Sequence, residues 1–489
     1  MQVPQEVKNI LEKLSKAGYE AYIVGGCVRD LLLGKTPKDW DITTNAKPEE
    51  IQKLFSDTVY ENIFGTVAVK TGSEDPALAI VEVTPYRIEG KYADKRHPDD
   101  IKFTDKLEDD LSRRDFTINA IAAKITETSE TVDPFNGKDD IKNKIIRTVG
   151  KPEERFGEDA LRLLRAVRFA TVLDFSAKGG PASGWEIEKG TLAAVKENAE
   201  WLRAISKERI RDEFVKILEA DNAYEGVLLL EETGLLQYIV PELREGVGVS
   251  QNLHHIYTVW EHNTRALKYA ADKKYSLAVR LGSLFHDIGK PRTKRGEGKY
   301  STFYGHDVVG ARMTAEIMDR LKFPRDLSEK VIKLVRYHLF YYNVGEVTES
   351  SVRRLLANVG PENIEDLIKV REGDRIGSGR PKAVPYKLRH MKYVIDKVSH
   401  DPISVKMLKI DGNELMSGLG ISPGPKVGLI LNYLLAEVLD DPTKNTKEYL
   451  KQRIHELDKK TPEELKDSLN KIEAASKKEE EERMKKYYV

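Results

Sequence analysis

The sequence predicts a multidomain α+β protein, with a mixed head domain at the N-terminus and helical regions after it. At 489 residues the chain is longer than one hydrophobic core usually supports, so several domains are expected. Within about the first 150 residues, helical apolar spacing alternates with short apolar runs of the β type. From about residue 151 the spacing is helical almost throughout, which predicts an all-α remainder.

The first elements follow from apolar periodicity. A helical stripe ending near Gly18 is formed by Val7, Ile10, Leu11 and Leu14. Strands are predicted at 21–24 and near 39–44, 65–71 and 78–84. Together they predict a small mixed sheet with helices packed against it.

Composition excludes a membrane-spanning protein. Hydrophobic residues make up 40% of the chain and charged residues 33%, and no apolar stretch is long enough to cross a bilayer. Residues 1–20 combine charges with helical spacing, so they lack the apolar core of a secretion signal. The single cysteine, Cys27, agrees with a reducing compartment. We therefore expect a cytoplasmic protein.

The charge balance gives no global indication of a nucleic-acid partner, because 80 Lys and Arg balance 80 Asp and Glu. Any RNA site must then be a local patch. The best candidate, which we call the basic stripe, consists of Arg162, Arg165, Arg168, Arg203, Lys207, Arg209 and Arg211. Taken alone, such a stripe is more often a solvated helix face.

A glycine pair follows the first predicted strand. Gly25 and Gly26 precede a helix that carries Arg29 and Asp30. Glycines at such a turn let backbone N–H groups approach an anion at the helix start, which suits a triphosphate. A lone Gly-Gly is usually only a turn.

Two carboxylates follow in a strand-like run. Asp39 and Asp41 are two residues apart, and the period of a strand points both side chains to one face. Together they can clamp Mg²⁺, which favours hard oxygen ligands and keeps positions open for phosphates. A metal pair there would activate a 3′-hydroxyl and stabilise leaving pyrophosphate. A lone Asp-x-Asp is usually surface acidity, so the joint spacing with the glycine pair carries the interpretation.

The segment that holds both features, YIVGGCVRDLLLGKTPKDWDITTNA at 22–46, resembles the signature of the DNA polymerase β nucleotidyltransferase superfamily. The version is the one shared by class II CCA-adding enzymes and bacterial poly(A) polymerases. The resemblance implies a polymerase-β-like head. The resemblance also implies that Asp39 and Asp41 bind catalytic Mg²⁺ in this head, and that Gly25, Gly26 and Arg29 bind the triphosphate.

The likeness continues in order through the head. Arg113, Arg114 and Asp115 look like the family's ribose-recognition motif, with Asn119 one helical turn further on. A helix cap with salt bridges explains the same residues. Residues 133–149 match the family's hinge motif between head and neck. The turn residues of that motif are Asp133, Gly137 and Asp139.

Two further features of the head bear on catalysis. Glu82, in a predicted strand, either completes the carboxylate cluster or is an ordinary surface residue. Residues 85–104 hold too many polar and turn-forming groups for a sheet strand, so we expect a mobile loop. In class II enzymes the corresponding loop is needed to switch to AMP addition, and CC-only relatives have it altered or missing. Here it is complete, with Arg96 retained.

The neck carries a candidate base reader. In RFGEDALRLLRAVRFA, Asp159, Arg162 and Arg165 stand at three-residue intervals, hence on one face of a predicted helix. Asp and Arg supply acceptors and fixed donors for the Watson–Crick edge of a base, although an ion pair explains them too. In class II enzymes Glu-Asp-x-x-Arg is an amino-acid template. The resemblance therefore assigns base selection to Asp159 and Arg162, with Arg165 in support, and 206–218 resembles the next neck motif.

A second constellation begins near residue 250. His262, the adjacent His286 and Asp287, and Asp374 resemble the H…HD…D pattern of HD phosphohydrolases. Imidazole and carboxylate together favour Mn²⁺, Ni²⁺ or Zn²⁺ as well as Mg²⁺. Two more histidines either extend this site toward two metals or are surface or N-cap residues; they are His306 and His338.

The resemblance spans the chain to about residue 455, since 407–438 resembles the C-terminal tRNA-binding part of the family. It implies a head at 1–150, a base-selecting and RNA-binding neck at 151–249, an HD domain at 250–385 and a C-terminal helical tRNA-binding region at 386–489. The charged end beyond about 442 is expected to be a solvated helix pair or a frayed tail.

These features predict a CCA tRNA nucleotidyltransferase that condenses CTP and ATP onto the tRNA 3′ end, with Mg²⁺ in the head and a divalent ion in the HD site. The expected partners are tRNA, CTP and ATP, and no membrane. The near alternatives are an A-adding tRNA enzyme and a poly(A) polymerase, which more usually has a basic C-terminal extension and no complete HD site. An HD phosphodiesterase or phosphatase with an RNA-binding head is a rival that intact Asp39 and Asp41 disfavour.

Overall fold

The structure is a computed structural model. It describes residues 2–60, 65–90, 101–126, 129–173, 184–252 and 256–485. These residues form two compact units, residues 1–244 with 319–323, and residues 245–318 with 324–489. The predicted multidomain α+β class is confirmed. Among the described helices, none is both long enough and apolar enough to cross a membrane.

The head is organised around a mixed sheet. Its strands are β1 Ala21–Val24, β2 Asp41–Thr44, β3 Thr58–Tyr60, β4 Val67–Lys70, β5 Ile80–Pro85, β6 Arg87–Glu89, β7 Ile101–Phe103, β8 Ala122–Lys124 and β9 Glu130–Val132. The main sheet has the order β3-β4-β5-β2-β1-β8-β9, in which β2 and β5 are parallel and the other neighbours antiparallel. The core of the sheet is apolar, with Ile23, Ile42 and Val83 fully buried.

The predicted strands correspond to β1, β2, β4 and β5, with one correction. The prediction that Asp39 and Asp41 share a strand is wrong, because β2 begins at Asp41 and Asp39 lies in the bend before it. The pairing with β5 starts at the carbonyl of Trp40, which accepts a hydrogen bond from the N–H of Glu82. The chain ahead of that contact is therefore free to bend.

The prediction of a loop over 85–104 is wrong at both ends. Residue 85 ends β5, and β6 pairs antiparallel with β7, with Arg87 opposite Phe103. Two short polar segments can pair because each satisfies the backbone groups of the other. Arg96 lies outside the described residues.

The helices of the first unit surround the head sheet and build the neck. They are α1 Gln5–Lys16, α2 Gly26–Leu32, α3 Pro48–Leu54, α4 Leu107–Ser112, α5 Gly137–Asn143, α6 Pro152–Glu158, α7 Leu161–Val172, α8 Lys189–Glu197, α9 Lys207–Glu219, α10 Ala223–Glu232, α11 Leu236–Ile239 and α12 Pro241–Arg244. Among the described residues after 151, the all-α prediction has one strand as its exception, β11 at Glu186–Ile187, which pairs with β10 at Ile145–Ile146.

The single helix predicted over 155–170 is in fact two. Asp159 has an extended backbone, with φ −137° and ψ 106°, and stands between α6 and α7. Its carboxylate accepts a hydrogen bond from the N–H of Leu161 at 3.1 Å. A short acidic side chain that captures a backbone N–H competes with helix continuation, so α6 ends here and α7 starts afresh.

The second unit is helical. Its helices are α13 Val259–Asp272, α14 Leu277–Phe285, α15 Lys290–Thr293, α16 His306–Arg320, α17 Arg325–Tyr337, α18 Glu349–Val359, α19 Ile364–Gly377, α20 Tyr386–Val398, α21 Gly412–Leu419, α22 Pro425–Asp440, α23 Lys447–Asp458 and α24 Pro462–Lys485. The last two residues of α16 belong to the first unit. Short 3₁₀ turns lie at Thr117–Asn119, Ala199–Ala204, Gly298–Tyr300, Pro361–Asn363, Val405–Met407 and Pro442–Lys444.

The charged C-terminal segment contains two helices, α23 and α24. They are anchored by apolar residues that share one core cluster with α21 and α22, including Leu415, Leu434, Leu450 and Leu465. The sequence predicted either a solvated helix pair or a frayed tail. The structure contains the helix pair, which packs on the core as far as Leu465.

Candidate active site and metal centre

Two of the candidate catalytic carboxylates lie opposite each other on the parallel strands β2 and β5. Asp41 on β2 is in register with Glu82 on β5, and paired residues of neighbouring strands point to the same face of a sheet. Asp39 is exposed in the bend just before β2. The fold therefore brings Glu82 to the side of the aspartate pair, which is where a third ligand would have to lie.

The electrostatics of this cluster favour a bound cation. Burial raises the pKa of Asp41 to about 6, the guanidinium of Arg114 acts against that rise, and the charge of Asp39 adds to it. A raised carboxyl pKa means that the ionised form is poorly compensated by the protein alone. A divalent cation beside these oxygens would supply the missing charge.

The glycine turn is built around Arg114. Gly25 has φ +81°, a conformation that favours glycine, and a side chain there would place its Cβ 2.8 Å from Nη1 of Arg114 and 3.7 Å from Oδ2 of Asp41. Only glycine leaves room for the guanidinium beside the carboxylate. The N–H of Gly25 donates to the carbonyl of Ile121 at 3.2 Å, so the amide contribution predicted for this turn falls to Gly26.

A chain of hydrogen bonds links the glycine-turn helix to the neck. Arg29 donates from Nη1 to Oδ1 of Asn119 at 2.7 Å, and from Nε and Nη2 to Asp30. Asn119 donates in turn to Asp115 at 3.1 Å, and Arg165 on α7 donates to Asp115 at 2.6 and 2.8 Å. Burial acts to raise the pKa of Asp115, but Arg165 outweighs it and holds that pKa well below its usual range. Asp115 is therefore ionised and fixed.

Asp110 is a site residue that sequence reasoning missed. It is fully buried and accepts from Arg113 at 2.7 and 2.9 Å and from Arg114 at 3.4 Å. Burial acts to raise the pKa of Asp110, but the two guanidinium groups outweigh it and lower that pKa. The spacing of three and four residues on one helical path was the signal available in the sequence.

The predicted base readers are present but are not paired with each other. Asp159 accepts two hydrogen bonds from Arg209 on α9, at 2.7 and 3.3 Å. Arg162 instead donates to Glu158 at 2.5 Å and to the carbonyl of Arg113 at 3.1 Å. The sequence identifies Arg209 only as a member of the basic stripe. Local spacing does not predict a pairing between residues 50 positions apart.

The predicted hinge motif forms a cap. The carboxylate of Asp133 accepts from the N–H groups of Gly137 and Lys138, at 2.7 and 2.9 Å, at the start of α5. Asp139 lies in the first turn of that helix, where a negative charge is favourable. These contacts agree with a mechanical role for the segment.

The second unit collects the predicted HD residues around one point. The Nε2 atom of His262 lies 2.8 Å from Nε2 of His286, 3.0 Å from Oδ2 of Asp287 and 3.4 Å from Oδ1 of Asp374. All four side chains are buried, and they form a set with the composition and spacing of a metal site.

His306 and His338 lie at the same centre. Their Nε2 atoms are 3.2 and 3.5 Å from Oδ1 of Asp287, so this carboxylate belongs to two ligand sets at once. Both histidines place Nδ1 2.7 Å from a backbone carbonyl. A carbonyl can only accept, so Nδ1 carries the proton and Nε2 offers its lone pair to the centre. Gly289 permits this arrangement, because a Cβ there would lie 2.3 Å from the carbonyl of His306.

Two cations keep the carboxylates of this centre ionised. Lys290 lies 2.6 Å from Oδ2 of Asp287, and Arg371 pairs with Asp374. Burial acts to raise both carboxyl pKa values, but Lys290 and Arg371 outweigh it and hold them well below the usual range. Both carboxylates are therefore in the state that a metal requires.

Comparison with known proteins follows the same order along the chain. Residues 21–147 match the Poly A polymerase head domain, 184–246 the probable RNA and SrmB-binding site of polymerase A, and 255–369 the HD domain. A CCA-adding enzyme of Limosilactobacillus reuteri is 33% identical over 460 residues, which cover 93% of this chain and 97% of that protein. The chain belongs to the CCA-adding enzyme family. This is a family of nucleotidyltransferases that act on tRNA.

Other members of the CCA-adding enzyme family and its neighbours are similarly close. An A-adding tRNA nucleotidyltransferase of Deinococcus radiodurans is 33% identical over 429 residues, covering 85% of this chain and 90% of that protein. A crystal structure of the Bacillus stearothermophilus CCA-adding enzyme in complex with CTP is 26% identical, with a TM-score of 0.65, and covers 94% of this chain and 98% of that one. The family and the fold are therefore shown, and the number of C residues added is a separate question.

Proposed function

We propose that this protein adds C, C and A in turn to the 3′ end of tRNA, from CTP and ATP, with release of pyrophosphate. The observation that carries the proposal is the register of Asp41 with Glu82. The charges of Asp39 and Arg114 both act on the carboxylate of Asp41. In this carboxylate cluster burial raises the pKa of Asp41, and the chain belongs to a family whose members transfer nucleotides to tRNA.

The chain offers a consistent set of metal ligands for this chemistry. Asp39, Asp41 and Glu82 would hold Mg²⁺, because all three supply hard oxygen atoms. Divalent ions held by these residues would lower the pKa of the attacking 3′-hydroxyl and neutralise charge on the triphosphate. The pKa of Asp41, raised to about 6 by burial, supports a site that expects a positive partner.

Arginine side chains around the cluster are placed to bind the nucleotide. Arg29 uses three of its five N–H donors on Asp30 and Asn119, which orient the guanidinium and leave two donors for phosphate. Arg113, Arg114 and Asp115 are each fixed by an ion pair, and we assign them with Asn119 to the ribose. Preorganised donors of this kind bind charge without reorganising.

Base selection falls to the break between α6 and α7. Asp159 is held from α9 by Arg209, and Arg162 is held by Glu158, so an acceptor and a donor group three residues apart both have fixed positions. A protein template of this kind needs fixed donors and acceptors, because no nucleic-acid strand reads the incoming base. We assign Arg165 a supporting role through Asp115.

The distinction between CCA addition and A addition needs an experiment, since relatives of both activities are 33% identical to this chain. The protein is incubated with tRNA lacking A, CA or CCA, with CTP and ATP given separately and together. We expect CMP incorporation into tRNA that lacks CCA, followed by AMP. Incorporation of AMP alone would assign the protein to the A-adding group.

A second activity is favoured by the HD centre. We infer that the centre supports metal-dependent hydrolysis of phosphate esters, because Asp287 is shared by two ligand sets. One set is His262, His286, Asp287 and Asp374, and the other is Asp287, His306 and His338. Mn²⁺, Ni²⁺, Zn²⁺ or Mg²⁺ bound there would generate a hydroxide nucleophile at neutral pH.

A further inference from the structure

The basic stripe divides into paired and unpaired cations. Five of its members each form an ion pair with a carboxylate: Arg162 with Glu158, Arg165 with Asp115, Arg168 with Glu213, Arg209 with Asp159 and Arg211 with Asp212. The remaining two, Arg203 and Lys207, make no ion pair with any residue that the structure describes. The free positive charge of the stripe is therefore concentrated at these two residues.

Arg203 and Lys207 line the same cleft of the first unit. The cleft has a volume of about 250 Å³, and its other lining residues are Gln237, Tyr238, Pro241 and Arg320. Arg320 lies in 319–323, which belongs to this unit, and is clamped by Glu242 at 2.6 and 2.8 Å. Three cations thus face one space, and one carboxylate compensates them.

The charges in the cleft are mutually unfavourable as they stand. Partial burial lowers the pKa of Lys207, and the nearby charges of Arg320 and Arg203 lower it further. Helix α9 begins at Lys207, so the positive end of its dipole adds to the same potential. Glu242 compensates only one of the three positive charges, so the cleft is complementary to an anion.

The lining identifies the chemistry of that anion. Arg203 presents a planar fork and Lys207 a point charge, and both suit phosphate oxygens. The ring of Tyr238 lies 5.3 Å from the guanidinium carbon of Arg203, and an aromatic face beside a phosphate site suits the sugar or base of the same nucleotide. Arg203 and Gln237 are exposed, so the cleft is open to a polymer as well as to a small ion.

We propose that this cleft binds a backbone phosphate of the tRNA substrate, through side chains that neither the catalytic nor the base-reading roles use. The proposal rests on the proposed function, because it takes tRNA as the ligand. It assigns Arg203 and Lys207 to positioning the RNA rather than to chemistry.

The test is tRNA binding by Arg203→Gln with Lys207→Gln, measured at several salt concentrations with no nucleotide present. We expect the Kd to rise roughly 10-fold, as for the loss of a charge-assisted contact. The slope of log Kd against log salt should fall by about 1 for each phosphate released. In turnover, the KM for tRNA should rise while kcat and the KM for CTP stay unchanged.

The matched control carries the same loss of charge elsewhere in the unit. Lys53→Gln with Lys142→Gln removes two exposed lysines that do not line the cleft. The conservative pair Arg203→Lys with Lys207→Arg should bind tRNA nearly as the parent does. Equal Kd values and salt slopes for the cleft variant and the control would overturn the proposal.

The alternative ligand for this cleft is free phosphate or pyrophosphate, which offers the same oxygen atoms as an RNA phosphate. Stabilisation by inorganic phosphate and pyrophosphate is measured by thermal unfolding in parent and variant. If the variant loses that stabilisation while its tRNA Kd is unchanged, the cleft belongs to a free anion and the RNA assignment is wrong. Because binding is measured without nucleotide, a parent that binds tRNA but fails to incorporate CMP contradicts only the proposed function.

Discussion

Arg209 donates to both carboxylate oxygens of Asp159, from Nη2 at 2.7 Å and from Nη1 at 3.3 Å. Such two-point pairing fixes the position of the carboxylate and the rotation of its plane. The candidate base reader is therefore oriented by α9 as well as by the N–H of Leu161 in its own segment. Its accuracy should depend on a residue 50 positions away in the chain.

We expect Arg209→Ala to reduce nucleotide selection more than it reduces transfer. Without Arg209 the carboxylate of Asp159 keeps only the hydrogen bond from the N–H of Leu161 and loses its two-point restraint, while the metal and triphosphate contacts remain. Base-edge contacts supply about 1–3 kcal/mol of discrimination, so the ratio of kcat/KM for CTP over UTP should fall by about 10- to 100-fold. The measurement is that ratio for all four nucleotides.

Arg211→Ala is the matched control for this prediction, since Arg211 lies on the same helix and pairs with its exposed neighbour Asp212. Its selectivity should equal that of the parent. If Arg209→Ala lowers kcat/KM for every nucleotide by the same factor, Asp159 and Arg209 form a structural ion pair and the template assignment does not hold.

The sequence predicted which residues gather here but not which ones pair. Local spacing located the glycine turn and strand β2, because both depend on near neighbours. The partners of Asp115 and Asp159 lie 50 residues away, on α7 and α9. Apolar periodicity contains no information about such pairings, and the ion pair between Asp159 and Arg162 that their spacing allows is not the one formed.

The HD centre was the more predictable of the two sites. The residue types of His262, His286, Asp287 and Asp374 are those of metal ligands, and the structure gathers their ligand atoms within 4.8 Å of one another. The sequence could not predict that Asp287 belongs to both ligand sets, because this depends on how α16 and α17 pack. The backbone of His306 packs closely against Gly289, and this contact places His306 at the centre.

We expect Asp41→Asn and Glu82→Gln each to reduce CMP transfer to below a few per cent of the parent rate while tRNA binding is retained. Each change keeps the shape of the side chain and removes a charged ligand. Single-turnover incorporation with CTP, and tRNA binding without nucleotide, are the two measurements. Asp57→Asn, an exposed aspartate paired with Lys70 on the same unit, is the control. Full activity in Glu82→Gln would leave Glu82 an ordinary surface residue.

Metal content should distinguish the two ligand sets of the HD centre. His338→Ala removes a ligand from one set and His262→Ala from the other, whereas Asp287→Asn affects both. After chelation and reloading with Mn²⁺, we expect each histidine variant to bind one ion fewer per chain than the parent. Asp287→Asn should bind neither, and CCA addition should be unchanged in all three.

The exposed His400 provides the control, since His400→Ala should keep the parent's metal content. Hydrolysis of a 2′,3′-cyclic phosphate and of phosphorylated tRNA ends is measured on the same samples. Loss of hydrolysis should follow loss of metal. If the metal-loaded parent hydrolyses none of these substrates with Mn²⁺, Ni²⁺, Zn²⁺ or Mg²⁺, the centre is structural and the proposed second activity is wrong.

The raised pKa of Asp41 predicts a stability that depends on both pH and metal. Its pKa is about 6 in the folded protein and near 3.9 in the unfolded chain, so ionisation costs folding free energy as pH rises between these values. Above pH 6 the metal-free parent carries the whole cost, at most about 3 kcal/mol, and below about pH 4 it carries none. Asp41→Asn should therefore have the higher Tm at pH 7.5 in EDTA, with the difference vanishing toward pH 4. Added Mg²⁺ should raise the Tm of the parent at pH 7.5 more than that of the variant, because a bound cation compensates a carboxylate but not an amide, whereas Mg²⁺ bound at the HD centre acts on both proteins. Equal responses of parent and variant to Mg²⁺ would show that Asp41 is not a ligand.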